Sequence, residues 1–289
     1  MSDCNMFGKF DRRQFLGLTA GAAAAGIAGC TSNDGAGTDT GTDDSDGSPE
    51  STTSSGDDDY TNGVGSDASV SFAVPSDGAT LSSPYVQWQG SASGVTIEES
   101  GAVNEGAGHY HVMVDTEPVE SGETIPGDDQ HIHYGTGQDN GVLELEPGDH
   151  TLHLQVADGE HTAMALTDTV EVTVEDTASL DLSTSVDGSV VEWDVTAENY
   201  TIEPSSAGID ANSGHLHAVI DADHVPVGDV IPSDANHIHY GDGSTSGSID
   251  LAEQPGDAYE PGDHTIHFQV GTGTHRATMV HAHTTVTTE

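Results

Sequence analysis

Residues 147–156 read Pro-Gly-Asp-His-Thr-Leu-His-Leu-Gln-Val, and residues 261–270 read Pro-Gly-Asp-His-Thr-Ile-His-Phe-Gln-Val. In both stretches a turn signal is followed by apolar residues at every second position, which is the period of a β-strand and not of a helix. The run Val170-Glu-Val-Thr-Val174 has the same alternation, and turn residues interrupt the chain at short intervals. The sequence therefore predicts an all-β protein with two tandem, immunoglobulin-like antiparallel β-sandwiches.

Changes in composition along the chain separate a polar segment from the two repeats that follow it. Residues 31–65 are rich in Ser, Thr, Gly and Asp, and such a segment buries too little apolar surface to offset its ordering entropy. We therefore expect a disordered acidic tether at 31–65, followed by sandwich repeats at 66–176 and 178–289. Trp88 and Trp193 occupy matching positions in the two repeats and are expected to anchor their cores.

The first residues of the chain predict export. Arg12 and Arg13 form a twin-arginine motif, an apolar run follows at 18–29, and Cys30 ends a lipobox-like Ile-Ala-Gly-Cys. We expect residues 1–30 to be a signal peptide with a lipobox, and a lipid on Cys30 to hold the mature protein at the outer face of the cytoplasmic membrane. An uncleaved anchor helix is the alternative. Asn199 begins an Asn-Tyr-Thr glycosylation sequon, which is consistent with an extracytoplasmic location.

The composition is strongly acidic. The chain has 50 acidic and four basic residues, and its formal net charge is −46. Nucleic-acid binding needs a cationic surface, so the charge excludes this class of function. Self-repulsion is largely screened at molar salt, where the Debye length is about 3 Å, and the composition therefore predicts a halophilic protein. Calcium binding is the other use of many carboxylates, but the sequence contains no EF-hand-like loop.

All 17 histidines follow residue 108, and most recur in the same order in both repeats. Residues i and i+2 of a strand share a face, so the two histidines of each His-x-His pair lie together. We expect imidazoles from neighbouring strands to converge in each repeat on zinc or copper, as a three-histidine site with an open position. The face-compatible candidates are His109, His111, His131, His133 and His153 in repeat 1, and His215, His217, His237, His239 and His267 in repeat 2.

Other histidines are less determined by strand parity. His150 and His264 follow the Pro-Gly-Asp turn with the parity of the core, so each is either a ligand or a group that bonds the backbone near the turn. His161 and His275 are expected in loops or at strand starts, from which a ligand can reach a sheet face. Methionines such as Met113 lie near the histidine blocks, and thioethers favour Cu(I).

The order of these blocks resembles a known family. Gly-His-x-His before an Asp, His-Ile-His-Tyr-Gly, Pro-Gly-Asp-His-Thr and a late histidine together are similar to the secreted family called domain of unknown function 4399, in two copies over about residues 66–289. The resemblance implies no particular reaction. It implies that the family's histidines correspond here to His109, His111, His133, His150 and His161, and to His215, His217, His239, His264 and His275.

The sequence favours a lipid-anchored, extracytoplasmic protein that captures or buffers copper or zinc. The alternative is a non-catalytic structural or adhesion module of the cell surface with structural histidines. We expect no enzyme activity, because no Ser-His-Asp order or paired carboxylates are recognisable in the sequence. His-x-His on a strand also occurs in Cu/Zn superoxide dismutase, but neither repeat contains cysteine, and Arg276 has no counterpart in repeat 1. The expected partners are metal ions and, through the lipid, the membrane.

Overall fold

The computed structural model describes residues 59–254 and 259–289. Within this part of the chain the regular structure is β-strand, with two short 3-10 turns at Ser205–Ala207 and Leu251–Glu253 and no α-helix. No helix in these residues is long and apolar enough to cross a membrane. The all-β prediction is confirmed.

Repeat 1 forms a two-sheet sandwich. Its strands are β1 (Ser69–Val74), β2 (Ala79–Leu81), β3 (Tyr85–Ser93), β4 (Thr96–Ile97), β5 (Ala107–Val114), β6 (His131–Tyr134), β7 (Asn140–Glu144), β8 (Gly148–Ala157) and β9 (Ala163–Val174). Within the described residues one sheet has the order β1-β3-β7, and the other has the order β2-β9-β8-β5-β4 with β6 also paired to β5. Pairing is antiparallel except for the short parallel pairs β2-β9 and β4-β5.

Repeat 2 has the same plan. Its strands are β10 (Ser179–Asp187), β11 (Val190–Glu198), β12 (Thr201–Ile202), β13 (Ser213–Ile220), β14 (His237–Tyr240), β15 (Ser246–Asp250), β16 (Asp263–Gly271) and β17 (Ala277–Thr287). In the part of the repeat that the structure describes, the sheets have the orders β10-β11-β15 and β12-β13-β16-β17, with β14 paired to β13. The prediction of two tandem β-sandwiches is confirmed, with β12-β13 as a further parallel pair.

Each sandwich closes over one tryptophan. The Trp88 ring is fully buried, and its centroid lies 4.5 Å from that of Tyr134 and 5.9 Å from that of Tyr110. The Trp193 ring is also buried and lies 4.7 Å from Tyr240. The expected core anchors are confirmed. Tyr134 and Tyr240 are the last residues of β6 and β14. Their packing against the tryptophans therefore also holds these histidine-bearing strands in position.

Strand β5 is buried on both faces. Tyr110 and Val112 face the core between the sheets, as the alternation predicts, and both are fully buried. His109, His111 and Met113 point to the opposite face, yet they are only 0%, 1% and 0% exposed. A second, smaller apolar cluster covers Met113. The histidine face of this strand is therefore a low-dielectric environment and not an open surface.

Ordered structure begins before the expected boundary at residue 66. The Tyr60 backbone N–H donates to Ser121 Oγ at 2.6 Å, and the Asn62 side chain donates to the Ala107 carbonyl at 2.9 Å. The segment from residue 59 to residue 65 therefore packs on repeat 1 and is not part of a free tether. The other N-terminal predictions, including Arg12, Arg13, Cys30 and the tether up to residue 58, lie outside the described residues.

The two repeats are joined by buried hydrogen bonds. Gln87 Nε2 donates to the Tyr200 hydroxyl at 2.8 Å and to the Ser213 carbonyl at 2.9 Å. Asn212 Oδ1 accepts from the Ser82 backbone N–H at 2.8 Å. Because a buried polar group is costly to leave unpaired, these bonds restrict how the repeats can rotate against each other.

Candidate metal centre

Cross-strand register brings the His-x-His pairs together. His111 on β5 lies directly opposite His133 on β6, and His109 lies on the same face two residues along β5. In repeat 2, His217 on β13 lies opposite His239 on β14 in the same way. Directly opposed residues of antiparallel strands have Cβ atoms about 4.5–5.5 Å apart, so their imidazoles can share one ligand.

Four histidines of repeat 1 form a compact group, which we call site 1: His109, His111, His133 and His161. The six separations between their ring centroids lie between 4.8 and 5.6 Å, so the rings occupy the corners of a nearly regular tetrahedron. The Nε2 atoms of His109 and His111 are 3.0 Å apart, and those of His133 and His161 are 3.3 Å apart. One ring nitrogen of each of the four histidines lies within 4.8 Å of those of the other three.

Repeat 2 builds the same arrangement, which we call site 2, from His215, His217, His239 and His275. Its six ring-centroid separations lie between 4.7 and 5.7 Å. The Nε2 atoms are 2.9 Å apart in the His215–His217 pair and 3.2 Å apart in the His239–His275 pair. The geometry therefore occurs twice in the described residues.

These distances fit a metal ion. In a tetrahedral zinc site with Zn–N bonds of about 2.0–2.1 Å, neighbouring ligand nitrogens are roughly 3.3–3.4 Å apart. Two Nε2 pairs in each site, separated by 2.9 to 3.3 Å, are close to that value, and all four ring nitrogens of a site lie within 4.8 Å of one another. The sequence predicted three histidines and an open position, but the structure brings a fourth imidazole beside them, so each site offers four imidazoles that could hold a metal ion.

The fourth ligand of site 1 comes from the loop between β8 and β9, which Asp158 organises. The Asp158 carboxylate accepts from the backbone N–H groups of Glu160 and Thr162, both at 2.9 Å, and from the Tyr60 hydroxyl at 2.6 Å. His161 has φ +71°, a conformation that non-glycine residues rarely adopt. Such outliers persist where the surroundings impose them, and here the result is an imidazole turned onto the site.

Repeat 2 reaches the same geometry with different turn chemistry. The Thr272 hydroxyl accepts from the backbone N–H groups of Thr274 at 3.3 Å and Arg276 at 3.0 Å. His275 again has a positive φ, +61°. The residues that organise the two turns differ, so they did not predict that the loops are equivalent. The late histidine did predict it, because it occurs at a matching place in both repeats, and the family resemblance rested partly on it.

The glycine of the His-Ile-His-Tyr-Gly motif lies against a ligand ring. A Cβ atom at Gly135 would collide with Cε1 and Nε2 of His133, and one at Gly241 would collide with the same atoms of His239. A side chain at this position would therefore force the ligand ring to move, and the reason is close approach, not backbone conformation. The sequence pattern contains this glycine in both repeats but does not indicate its role.

Burial keeps the inner ligands neutral. Burial, and then the neighbouring imidazoles, lower the pKa of His109 to about 4 and of His111 to about 2. The same causes lower the pKa of His215 to about 4 and of His217 to about 3. Neutral imidazole is the form that binds a metal, so these side chains are prepared for ligation at neutral pH.

Three of the four buried ligands have an outer ring nitrogen without a hydrogen-bond partner in the part of the chain that the structure describes. Nδ1 of His109, His111 and His215 is buried without a hydrogen bond among the described residues. Metal-bound histidines usually donate this N–H to a carboxylate or carbonyl, which fixes the ring. In these sites the rings are held instead by strand register and close packing.

Three predicted ligands of each repeat lie outside the tetrahedral groups. His131 and His237 share the strand face of the ligands, but each turns its Nδ1 to a carboxylate, Asp128 at 2.7 Å and Asp234 at 2.6 Å. His153 is directly opposite Met113 and bonds Thr169 Oγ1 at 2.7 Å; its counterpart is His267. Strand parity placed these side chains on the correct face but not at the correct position along it.

The open alternatives for His150 and His264 are decided by their contacts. His150 bonds the Glu146 carbonyl through Nε2 and Asp115 through Nδ1, both at 2.7 Å, and His264 bonds Glu260 and Asp221 in the same way. For His150, burial lowers the pKa, but the bonds to Glu146 and Asp115 outweigh it and the pKa is raised. For His264, the bond to Asp221 is the main cause of a raised pKa. Both therefore brace the turn and do not join the tetrahedral groups.

Comparison with known proteins agrees with this description. The family model described as "Domain of unknown function (DUF4399)" matches residues 89–175 and again residues 193–289. The chain belongs to this family, in two tandem copies. The resemblance inferred from the histidine blocks is confirmed. No curated protein matches the chain.

Solved structures give weak likenesses. The fibronectin(III)-like modules of Clostridium thermocellum CbhA match with 11% identity and a TM-score of 0.23, covering 76% of this chain and 94% of theirs. A tetra-tandem repeat from the extending region of a large adhesion protein matches with 14% identity and a TM-score of 0.25, covering 77% of this chain. This chain spans 49% of that structure. Because both TM-scores are low, neither likeness informs the function.

Proposed function

We propose that each repeat binds one divalent transition-metal ion through its four histidines, and that the protein captures or buffers zinc or copper outside the cytoplasm. The observation that carries this proposal is the group of four imidazoles in each repeat, whose ring nitrogens all lie within 4.8 Å of one another and include two Nε2 pairs that are 2.9 to 3.3 Å apart. Four protein ligands fill a tetrahedral zinc shell, whereas catalytic zinc sites keep a position for water. This supports binding over catalysis.

The burial pattern supports an exchangeable ion. In site 1 the inner ligands His109 and His111 are buried, whereas His133 is exposed and His161 is partly exposed. An ion can therefore enter or leave from the His133–His161 side without opening the sandwich. A strongly acidic surface also raises the local concentration of cations. A protein that captures and releases an ion needs both an accessible ligand side and a surface that attracts cations.

The ligand set favours zinc over copper. Cu(II) prefers square-planar or tetragonal nitrogen and oxygen sites, and Cu(I) is selected by soft thiolate and thioether ligands. Met113 is buried in an apolar cluster and does not belong to the tetrahedral groups. We therefore propose zinc as the preferred ion, with copper as its competitor.

An extracytoplasmic, lipid-anchored location is part of the proposal. It is supported by the twin-arginine motif at Arg12 and Arg13 and by the lipobox-like Cys30. Asn199 is exposed, so its sequon is accessible to modification. When the full chain is produced in a host that lipidates exported proteins, it should incorporate radiolabelled fatty acid. A Cys30→Ala variant produced in the same host should not.

The binding proposal is tested by loading the chain with zinc, removing excess ion and counting the tightly held equivalents. Two per chain are expected. His109→Ala with His111→Ala should leave one, and His215→Ala with His217→Ala should leave the other. Because the inner ligands are buried, His161→Gln offers a loop variant that spares the core and should weaken site 1 alone.

The matched control is His131→Ala. It lies on the same strand as His133 but bonds Asp128 outside site 1, so both zinc equivalents should be retained. A wild-type chain that holds no zinc or copper, or a His161→Gln variant that binds as tightly as the wild type, would refute the proposal. Either result would favour the structural or adhesion module.

A further inference from the structure

Repeat 2 contains a second group of histidines that repeat 1 lacks. His267 on β16 is directly opposite His283 on β17, and their ring centroids are 5.1 Å apart. His224, in the loop after β13, lies 4.5 Å from His281 and 5.8 Å from His267, measured between ring centroids. We call these four residues the surface histidine cluster.

The cluster lies on the same sheet face as site 2 but is separate from it. His217 of site 2 and His281 of the cluster are both paired to Gln269, one from each side. Two strand spacings of about 4.8 Å therefore separate them at the backbone, roughly 10 Å in all. The Gln269 side chain is fully buried and makes hydrogen bonds to the backbone of Val225 and Thr278. It therefore separates the two groups.

Comparison of the repeats shows that the cluster is not a by-product of the duplicated pattern. Gln155 and Gln269 make the same bonds to Val119 and Val225, so the preceding residues, Pro118 and His224, are equivalent. The two histidines of β17 correspond in the same alignment to Thr167 and Thr169. Within the described residues, His153 of β8 bonds a threonine hydroxyl, that of Thr169, and no histidine lies opposite it. Three positions thus carry histidine in repeat 2 and other residues in repeat 1.

The cluster also contains unused ring nitrogens. Nδ1 of His267 and of His281 is buried without a hydrogen-bond partner among the described residues. An unpaired buried polar atom is costly, and an ion supplies the missing partner. Burial, and then the neighbouring imidazoles, lower the pKa of both side chains, which keeps their lone pairs available. His224 and His283 are exposed, so their rings can turn toward an ion without disturbing the sheet.

We infer that His224, His267, His281 and His283 form a third metal site, specific to repeat 2, for a borderline divalent ion such as Zn²⁺, Cu²⁺ or Ni²⁺. It binds more weakly than sites 1 and 2, because its rings are stacked rather than directed to one centre and two of them are solvent-exposed. The third site therefore exchanges its ion faster than the tetrahedral sites.

Calorimetric titration of the full chain with Zn²⁺ tests this inference. Two tight equivalents and one weaker equivalent are expected. His281→Thr with His283→Thr copies the threonines of repeat 1 and should abolish the weaker equivalent while leaving the tight ones. The wild-type chain showing no weaker equivalent, or the threonine variant retaining it, would overturn the inference.

A second arm separates this inference from the proposed function. His215→Ala with His217→Ala should remove one tight equivalent and keep the weaker one, since Gln269 separates the two groups. If the tight equivalents were absent but the weaker one remained and responded to His281→Thr with His283→Thr, the third site would stand and the proposed function would fail. Loss of the weaker equivalent in the His215 and His217 variant, with the sheet still folded by circular dichroism, would show that it is not a separate site.

Discussion

At the scale of single residues, the geometry of each site depends on a few tight contacts. A glycine after His-Ile-His-Tyr makes room for a ligand ring, and a histidine with positive φ supplies the fourth imidazole. The identity of the ligands was partly predictable from sequence, because His-x-His on a strand puts both rings on one face. The role of the glycine was not, since it depends on the ring of a neighbour and not on any pattern in the chain.

Gly135→Ala should weaken zinc binding at site 1 by about 10–100-fold, the effect typical of changes that disturb ligand orientation. The added methyl group collides with the His133 ring and displaces it from the tetrahedral group. The measurement is chelator competition for zinc. Gly127→Ala is the control, because a Cβ atom there meets nothing within 4 Å and should leave the affinity unchanged. Equal affinities in the two variants would contradict this role.

The lowered pKa values of the inner ligands predict a loss of stability on acidification of the metal-free protein. A histidine with a pKa near 6.5 when unfolded and about 4 when folded, such as His109, contributes stability that is complete above pH 6.5. That contribution falls by about 1.4 kcal/mol per pH unit as the pH approaches 4. The raised pKa values of His150 and His264 act in the opposite sense, since their contribution is complete at low pH.

Urea unfolding in chelator and molar salt, at pH 7.5 and pH 5, measures this effect. Because the inner ligands His109, His111, His215 and His217 outnumber the two raised imidazoles, the free energy of unfolding should be lower at pH 5. A His109→Gln, His111→Gln variant should lose less stability over the same interval. Equal slopes in the variant and the wild type would count against burial as the cause.

At the scale of strands and loops, register decides which histidines meet. His153, Met113 and His131 lie side by side across three strands, whereas His133 and His111 lie on the neighbouring row that continues into site 1. Alternation in the sequence gives the face of each side chain but not the row, because one sequence contains no register between strands. This is why the β-sandwich and the ligand face were predicted, while His131 and His153 were included among the face-compatible candidates and His161 was a candidate mainly through the family resemblance.

Asp158→Ala should weaken zinc binding at site 1 and leave site 2 unchanged. The carboxylate accepts hydrogen bonds from two backbone N–H groups of the loop that carries His161. Without these bonds, His161 is no longer held in its positive-φ conformation. Thr272 has this role in repeat 2, which makes site 2 an internal control. Asp149→Ala removes a carboxylate that accepts a hydrogen bond from the Thr173 hydroxyl, away from the His161 loop, and should change neither affinity. Equal weakening of both sites by Asp158→Ala would contradict the loop assignment.

At the scale of the whole molecule, charge and tandem architecture act together. Hydrogen bonds from Gln87 and Asn212 join the repeats, so the two similar four-histidine groups belong to one strongly negatively charged protein. The strongly negative net charge was predictable from composition, because it depends on the number of charged residues and not on their positions. The contacts between repeats were beyond prediction, since they arise from surfaces that become neighbours only after both sandwiches fold.

The net charge of −46 predicts that stability rises with salt. Raising NaCl from 0.1 M to 1 M shortens the Debye length from about 10 Å to about 3 Å and screens self-repulsion. The melting temperature of the metal-free chain should therefore increase by several degrees or more. Sucrose at equal osmolality is the control, because it does not screen charge. An equal increase in sucrose, or no increase in NaCl, would contradict the halophilic interpretation.

The most direct test of the central claim is the X-ray absorption spectrum of the chain loaded with two equivalents of zinc. Four imidazole nitrogens at about 2.0–2.1 Å around each ion are expected, with the outer-shell scattering of histidine rings. A shell of five or six oxygen ligands, or the loss of zinc on removal of excess ion, would contradict the claim that each repeat holds a four-histidine metal centre.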